Sequence, residues 1–152
     1  MKVQHINPIY MAARDVFHNM FSIELDKGEL SVVERIEPED IINVSIGITG
    51  DLKGTIIFSF SEKMVLDLVE EMAGMEFKEF DKFVASAIGE LANIISGNSM
   101  TYFSEAGYNC DIVPPQIAVG KNKTFSTATK KTLVIPMLAD DKSFVIYISI
   151  RE

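Results

Sequence analysis

Apolar residues recur along the chain with two different periods, which together predict a mixture of helices and strands. Spacings of three and four residues predict three helices, over 7–21, 62–73 and 80–103. Alternating apolar residues predict an interrupted strand-like segment, a β-hairpin and four later strands, over 22–36, 44–60, 110–119, 123–130, 132–138 and 143–150. This order favours an α+β fold in which helices pack on a largely antiparallel sheet.

Residues with special backbone preferences mark where several of these elements begin and end. Pro8 suits the first turn of a helix, with Asn7 as its N-cap. Ser61 is expected to cap the second helix, and Gly74 is expected to end it. Pro136 lies in the strand predicted over 132–138 and has no N–H to donate to a neighbouring strand, which favours a sheet edge or a bulge there.

The order helix-then-hairpin occurs twice, over 7–60 and again over 80–150. It predicts two duplicated halves, although few residues are identical between them. The length of 152 residues fits one domain, 1–152, and no low-complexity linker divides it.

Composition narrows the classes of function. Apolar residues make up 47% and charged residues 24%, which is ordinary for a globular protein. No run approaches the roughly 18 apolar residues of a membrane helix, and the first residues lack a secretion signal. Cys110 is the single cysteine, which suits a reducing compartment, and we expect the cytoplasm. The net charge of −8 argues against nucleic-acid binding and favours a protein partner with a basic surface.

The helix predicted over 80–103 has an unusual polar face. Its apolar stripe should pack on the sheet and consists of Phe80, Val84, Ala87, Ile88, Leu91, Ile94 and Ile95. The opposite face carries small or uncharged residues around one carboxylate: Ser86, Gly89, Glu90, Asn93, Ser96 and Gly97. Lys and Arg are absent from 83–120, whereas ordinary solvent-facing helix surfaces are rich in both.

Glu90 and Asn93 are three residues apart, so their side chains are neighbours on this face. A carboxylate and a carboxamide thus project from an otherwise bare face, whose small residues would let another surface come close. Two structural explanations remain open at this point. The pair is also common on ordinary solvated helices, and the small residues would also suit close packing within the fold.

The stretch SAIGELANIISGN at 86–98, continued by YNCDIVPPQIAVG, resembles the CheC/CheX/FliY family of chemotaxis phosphatases. The active-site helix of that family carries Ser or Asp, then Glu, then Asn at this spacing, followed by Gly-Asn and a later proline. The matching residues are Ser86, Glu90, Asn93, Gly97 and Asn98, with Pro114 and Pro115 downstream. The length and the INP start of the first helix are most like CheX, and the order of elements matches along essentially the whole chain.

This resemblance implies a CheC-like fold and a substrate, the phosphorylated receiver domain of CheY or a related response regulator. It implies that Asn93 orients the attacking water and that Glu90 pairs with the receiver's lysine. We rank a general-base role for Glu90 lower, because an acyl phosphate already has a good leaving group. Four further residues are expected to contact the partner: Ser86, Gly89, Gly97 and Asn98. The Mg²⁺ needed for the chemistry is expected in the receiver, and no cofactor or metal is expected in this chain.

Some members of the family carry a second Glu-x-x-Asn pair on the first helix. The corresponding positions here are Asp15 and His18, so we expect one active site and a structural first helix. The only other histidine is His5, and Cys110 has no histidine close in sequence. The alternative function is a non-catalytic adaptor that binds a receiver or a flagellar-switch protein through the same helix face.

The last strand suggests a homodimer. Residues 144–150 form a long regular β pattern without proline or lysine. At a sheet edge such a strand would pair with a second copy, whereas a central strand would already be paired on both sides. The resemblance favours the dimer, because dimers joined through their sheets occur in that family.

Overall fold

Three helices pack against an eight-stranded antiparallel sheet in the computed structural model, which describes residues 3–152. The helices are α1 (Val3–Phe21), α2 (Glu62–Ala73) and α3 (Lys82–Glu105). The strands are β1 (Asp26–Lys27), β2 (Ser31–Val33), β3 (Ile42–Gly50), β4 (Lys53–Phe60), β5 (Cys110–Ile112), β6 (Gln116–Val119), β7 (Thr132–Ala139) and β8 (Lys142–Arg151). The predicted α+β class is confirmed. Within residues 3–152, no helix combines the length and apolar character needed to span a bilayer.

The sheet is built from two interlocked halves. Its strand order is β1-β7-β8-β4-β3-β5, with β2 also paired to β7 and β6 also paired to β3. The first hairpin is β3–β4 and the second is β7–β8. β1 and β2 precede the first hairpin but pair with the second, whereas β5 and β6 precede the second hairpin but pair with the first. The halves are therefore built alike, as the predicted duplication requires.

The two hairpins meet at the antiparallel pair β4–β8, which forms the centre of the sheet. Alternate residues of these strands point toward the helices and are buried there: Ile56, Phe58, Phe60, Phe144, Ile146, Ile148 and Ile150. The Phe144 ring stacks on Phe17 of α1 and on Phe60 of β4, with centroid distances of 5.1 and 5.0 Å. This aromatic stack ties the first helix to both central strands.

The ends of α2 match the prediction from sequence. The Ser61 Oγ accepts a hydrogen bond from the Met64 N–H at 3.1 Å, which satisfies one of the free donors of the first turn. Gly74 has φ 71°, a left-handed conformation that suits glycine, and its N–H donates to the Glu70 carbonyl at 2.8 Å.

The start of α1 was predicted wrongly. The helix already includes Val3, so Asn7 is not its cap and Pro8 lies inside it. Pro8 has no N–H to donate to the carbonyl of Gln4, which weakens this turn. A tertiary contact also reaches this turn, because the Gln4 Nε2 donates to the Tyr108 hydroxyl at 2.5 Å.

The strand predicted over 123–130 is absent apart from one isolated bridge at Phe125. The N–H groups of Ala128 and Thr129 donate instead to the Ser149 Oγ, at 3.0 and 3.2 Å. Side-chain acceptors therefore replace a strand ladder here, which the alternating pattern did not reveal. The strand-like segments 22–36 and 110–119 also form only short pairs of strands.

Pro136 does not mark a sheet edge, because β7 has neighbours on both sides. It faces the gap between β1 and β2, where the outer ladder is interrupted. At this gap the Gly28 N–H donates to the Pro136 carbonyl at 2.8 Å. The outer ladder is therefore interrupted between β1 and β2 at the position opposite Pro136, which has no N–H to donate.

Of the two alternatives for the final strand, a sheet edge or a central position, the structure shows the central one. β8 pairs with β4 on one side and with β7 on the other, so its backbone groups are already used. The argument for a homodimer through this strand therefore fails. The homodimer and the single domain over 1–152 stay predictions.

Replacing Phe144 with Ala should lower the free energy of unfolding by about 3–5 kcal/mol, because it empties a fully packed site and removes the stack with Phe17 and Phe60. Urea unfolding followed by circular dichroism measures this loss. Val32→Ala, at an exposed apolar position on β2, serves as the control and should change stability by less than about 0.5 kcal/mol. Similar losses in both variants would contradict the proposed importance of the stack.

Candidate active site

The rotation of α3 about its own axis decides which of its side chains reach the surface. Its first turn is capped by Asp81, whose Oδ1 accepts a hydrogen bond from the Val84 N–H at 2.9 Å. Along the helix, one apolar stripe is buried in the core: Val84, Ile88, Leu91, Ala92, Ile95 and Phe103. Because this stripe is buried against the rest of the fold, the opposite side of α3 is held toward solvent.

Four residues form a line along that outer side, here called the α3 strip: Ser86, Glu90, Asn93 and Gly97. Ser86 and Glu90 are exposed, whereas Asn93 and Gly97 are half-buried. Successive members are three or four residues apart, so they are neighbours on the helix surface. The strip thus presents a carboxylate and a carboxamide side by side, between two small residues.

Gly89 does not belong to this open surface, which corrects its assignment to partner binding. It is buried, and a Cβ at this position would lie 3.3 Å from the Ile117 Cδ1 and 3.8 Å from the Pro115 Cγ. The glycine therefore allows β6 and the turn before it to approach the helix closely. Ser96, also predicted on the open face, is likewise buried. Close packing within the fold explains the glycine at position 89.

Gly97 behaves differently from Gly89. A Cβ at Gly97 would meet no atom within 4 Å. Nothing inside the described part of the chain therefore requires a glycine there, although glycine costs about 1 kcal/mol relative to alanine in a helix. Free space above Gly97 is compatible with the approach of another molecule.

Asn98 is exposed but does not lie on the α3 strip. Being five residues beyond Asn93, it is turned by about 140° around the helix. It lines a cavity of about 250 Å³ together with Asp15, Thr101, Tyr102 and Glu105. For Asn98 to contact a partner as predicted, that partner would have to cover a surface of α3 that extends beyond the α3 strip.

The polar pair on α1 takes part in contacts within the protein. The Tyr102 hydroxyl donates a hydrogen bond to the Asp15 carboxylate, and this bond raises the pKa of Tyr102. His18 contacts the Glu24 carboxylate. These contacts agree with a structural role for α1.

The remaining candidates for chemistry are dispersed. Cys110 is half-buried at the start of β5. His5 is buried, and its Nε2 lies 3.3 Å from the Tyr108 hydroxyl. Among residues 3–152, no group of three or more His, Cys, Asp or Glu side chains is arranged to hold a metal ion. The α3 strip therefore remains the candidate site.

Comparison with known proteins assigns the family. The family model described as chemotaxis phosphatase CheX matches residues 42–138, which include Ser86, Glu90, Asn93 and Gly97. The chain belongs to the CheX family of chemotaxis phosphatases. The CheY-P phosphatase CheX of Thermotoga maritima is 30% identical over 157 aligned residues, covering 100% of this chain and 99% of the relative. The resemblance read from the α3 sequence is confirmed.

Solved structures agree with this CheX fold. A CheC-like superfamily protein from Shewanella sp. PV-4 has a TM-score of 0.89 and 25% identity, with 100% of both chains covered. The CheX–CheY–BeF₃–Mg²⁺ complex from Borrelia burgdorferi contains a chain with a TM-score of 0.80 and 26% identity, covering 99% of this chain and 100% of the relative.

Gly97→Ala should raise the free energy of unfolding by up to about 1 kcal/mol, because alanine is the better helix former and its methyl group meets open space. Gly89→Ala is the matched control on the same helix. Its methyl group would crowd Ile117, so its gain should be smaller. Urea unfolding of the two variants measures the difference, and an equal gain at both positions would contradict the packing role assigned to Gly89.

Proposed function

We propose that this chain accelerates hydrolysis of the aspartyl phosphate on a CheY-type receiver domain, with the α3 strip as the active surface. The observation that carries the proposal is the exposed Glu90 beside the half-buried Asn93, on a strip whose other two members, Ser86 and Gly97, are small. Membership of a phosphatase family supports the reaction class. A relative named CheY-P phosphatase, and a structural relative solved in complex with CheY, support the substrate.

The reaction needs few groups from this chain. A water oxygen attacks the phosphorus, the bond between phosphorus and the aspartyl oxygen breaks, and the receiver regains its carboxylate as inorganic phosphate leaves. Catalysis of phosphoryl transfer is mostly positioning and electrostatic stabilisation. The receiver is expected to supply the Mg²⁺ and a lysine, which together offset the charge on the phosphoryl oxygens.

Asn93 suits the positioning of the attacking water. Its carboxamide oxygen accepts a hydrogen bond from water while its NH₂ group donates to a phosphoryl oxygen. Being half-buried on a helix, it has fewer conformations to lose than a fully exposed side chain. The carboxamide would therefore hold the water in line with the bond that breaks.

Glu90 suits docking. Its exposed carboxylate is free to pair with the receiver's lysine, one helical turn from Asn93. The small residues Ser86 and Gly97, at the two ends of the strip, leave room for the receiver's surface. We expect both proteins in the cytoplasm, where response regulators act.

Asn93→Ala should reduce the rate of phosphate release by roughly 10²–10³, as is typical when one preorganised catalytic group is lost. The fold and the affinity for the receiver should be nearly unchanged, because the side chain has no partner inside the protein that it must satisfy. Release of inorganic phosphate from a phosphorylated CheY-type receiver measures the rate.

Asp15→Ala and His18→Ala are the matched controls, since they remove the corresponding pair on α1. Both variants should release inorganic phosphate at the same rate as the unmodified protein. Turnover by Asn93→Ala near the unmodified rate would refute the assignment of the water-positioning role. Binding of the phosphorylated receiver by the unmodified protein without phosphate release would favour the adaptor function instead.

Glu90→Gln should weaken docking, because it keeps the shape of the side chain and removes the charge that pairs with lysine. We expect the KM for the phosphorylated receiver to rise about tenfold, with part of the activity recovered at high receiver concentration. Raising the salt concentration should narrow the gap between the two proteins, because salt screens the ion pair. Equal KM values at low salt would remove the docking role of Glu90.

A further inference from the structure

Phe83 is exceptional among the aromatic residues of the chain. All ten Phe and four Tyr residues lie within the described part of the chain, and thirteen of the fourteen are buried or half-buried. Phe83 alone is exposed, with 55% of its surface accessible. A large apolar ring in water is unfavourable, and its burial against a partner releases that cost.

The ring of Phe83 is held in place rather than loosely attached. It lies in the first turn of α3, where the Asp81 cap orders the backbone. Its ring stacks on Phe77, with centroids 5.2 Å apart and planes within 11°. Phe77 is half-buried and packs against the core. A preordered aromatic side chain loses little conformational freedom when a partner covers it.

Phe83 is also aligned with the α3 strip. It precedes Glu90 by seven residues, so helical geometry places the two within about 20° of each other around the axis and about 10 Å apart along it. A standard protein interface covers about 800 Å² on each partner, equivalent to a disc with a radius of about 16 Å. A receiver centred on Glu90 and Asn93 therefore covers Phe83.

We propose that Phe83 is a docking residue that anchors an apolar patch of the receiver domain beside its phosphorylation site. The inference rests on the proposed function, because it is the position of Glu90 and Asn93 that centres the receiver on α3. Exposed aromatic residues with ordered rings are typical of the few positions that carry most of the affinity of an interface. Phe83 acts on affinity and orientation, whereas Asn93 acts on the chemical step.

The test separates affinity from chemistry. In an Asn93→Ala background, which slows hydrolysis, isothermal titration with a CheY-type receiver phosphorylated by acetyl phosphate measures affinity directly. Adding Phe83→Ala should weaken binding about tenfold or more, whereas Phe83→Leu should retain part of the affinity. In the protein with Asn93 intact, Phe83→Ala should raise KM by a similar factor and leave kcat nearly unchanged.

Val32→Ala and Leu138→Ala remove exposed apolar side chains on β2 and β7 and are the controls. Neither should change the affinity. Unchanged binding in Phe83→Ala overturns the docking role while leaving the proposed function intact, since that function is judged by phosphate release in Asn93→Ala. Sedimentation of Phe83→Ala adds a second criterion. A shift from dimer to monomer relative to the unmodified protein would show that a second copy covers Phe83, and would also overturn the proposal.

Discussion

The antiparallel pairing of β4 with β8 is the contact on which the rest of the structure depends. It joins two hairpins that are far apart in sequence, through a register that matches Ile56 with Ile148 and Phe58 with Ile146. Side chains alternate between the two faces of a strand, so a slip of one residue would move every buried residue to the wrong face. The helices can cover a continuous apolar surface only because this register brings the buried residues of both halves to one side.

The position of the α3 strip follows from that apolar surface. α3 buries its stripe against the core, and this burial sets its rotation and leaves Glu90 and Asn93 facing outward. Side chains on a packed helix are held more accurately than side chains on a loop. The proposed function requires only two polar groups from this chain, and it depends on their accurate placement more than on a deep cavity.

Duplication provides two helices in equivalent positions, but they have different roles. On α1 the Asp15 carboxylate accepts a hydrogen bond from Tyr102, a residue of α3, and so helps to join the helices. On α3 the strip is left without such contacts among the hydrogen bonds described. The same architecture therefore gives one helix whose polar pair makes contacts within the protein and one whose polar pair makes none among the hydrogen bonds described.

Much of the local structure was determined by the sequence itself. The caps at Ser61 and Gly74 and the first hairpin depend on interactions within a few residues, and local patterns record these. The buried role of Gly89, the central place of β8 and the missing strand at 123–130 were decided only by the tertiary structure. Each of them depends on a distant partner, namely Ile117, the β4 and β7 strands, and the Ser149 hydroxyl. A pattern along the chain carries no record of such partners, because the same alternation suits an edge strand, a central strand or an extended loop.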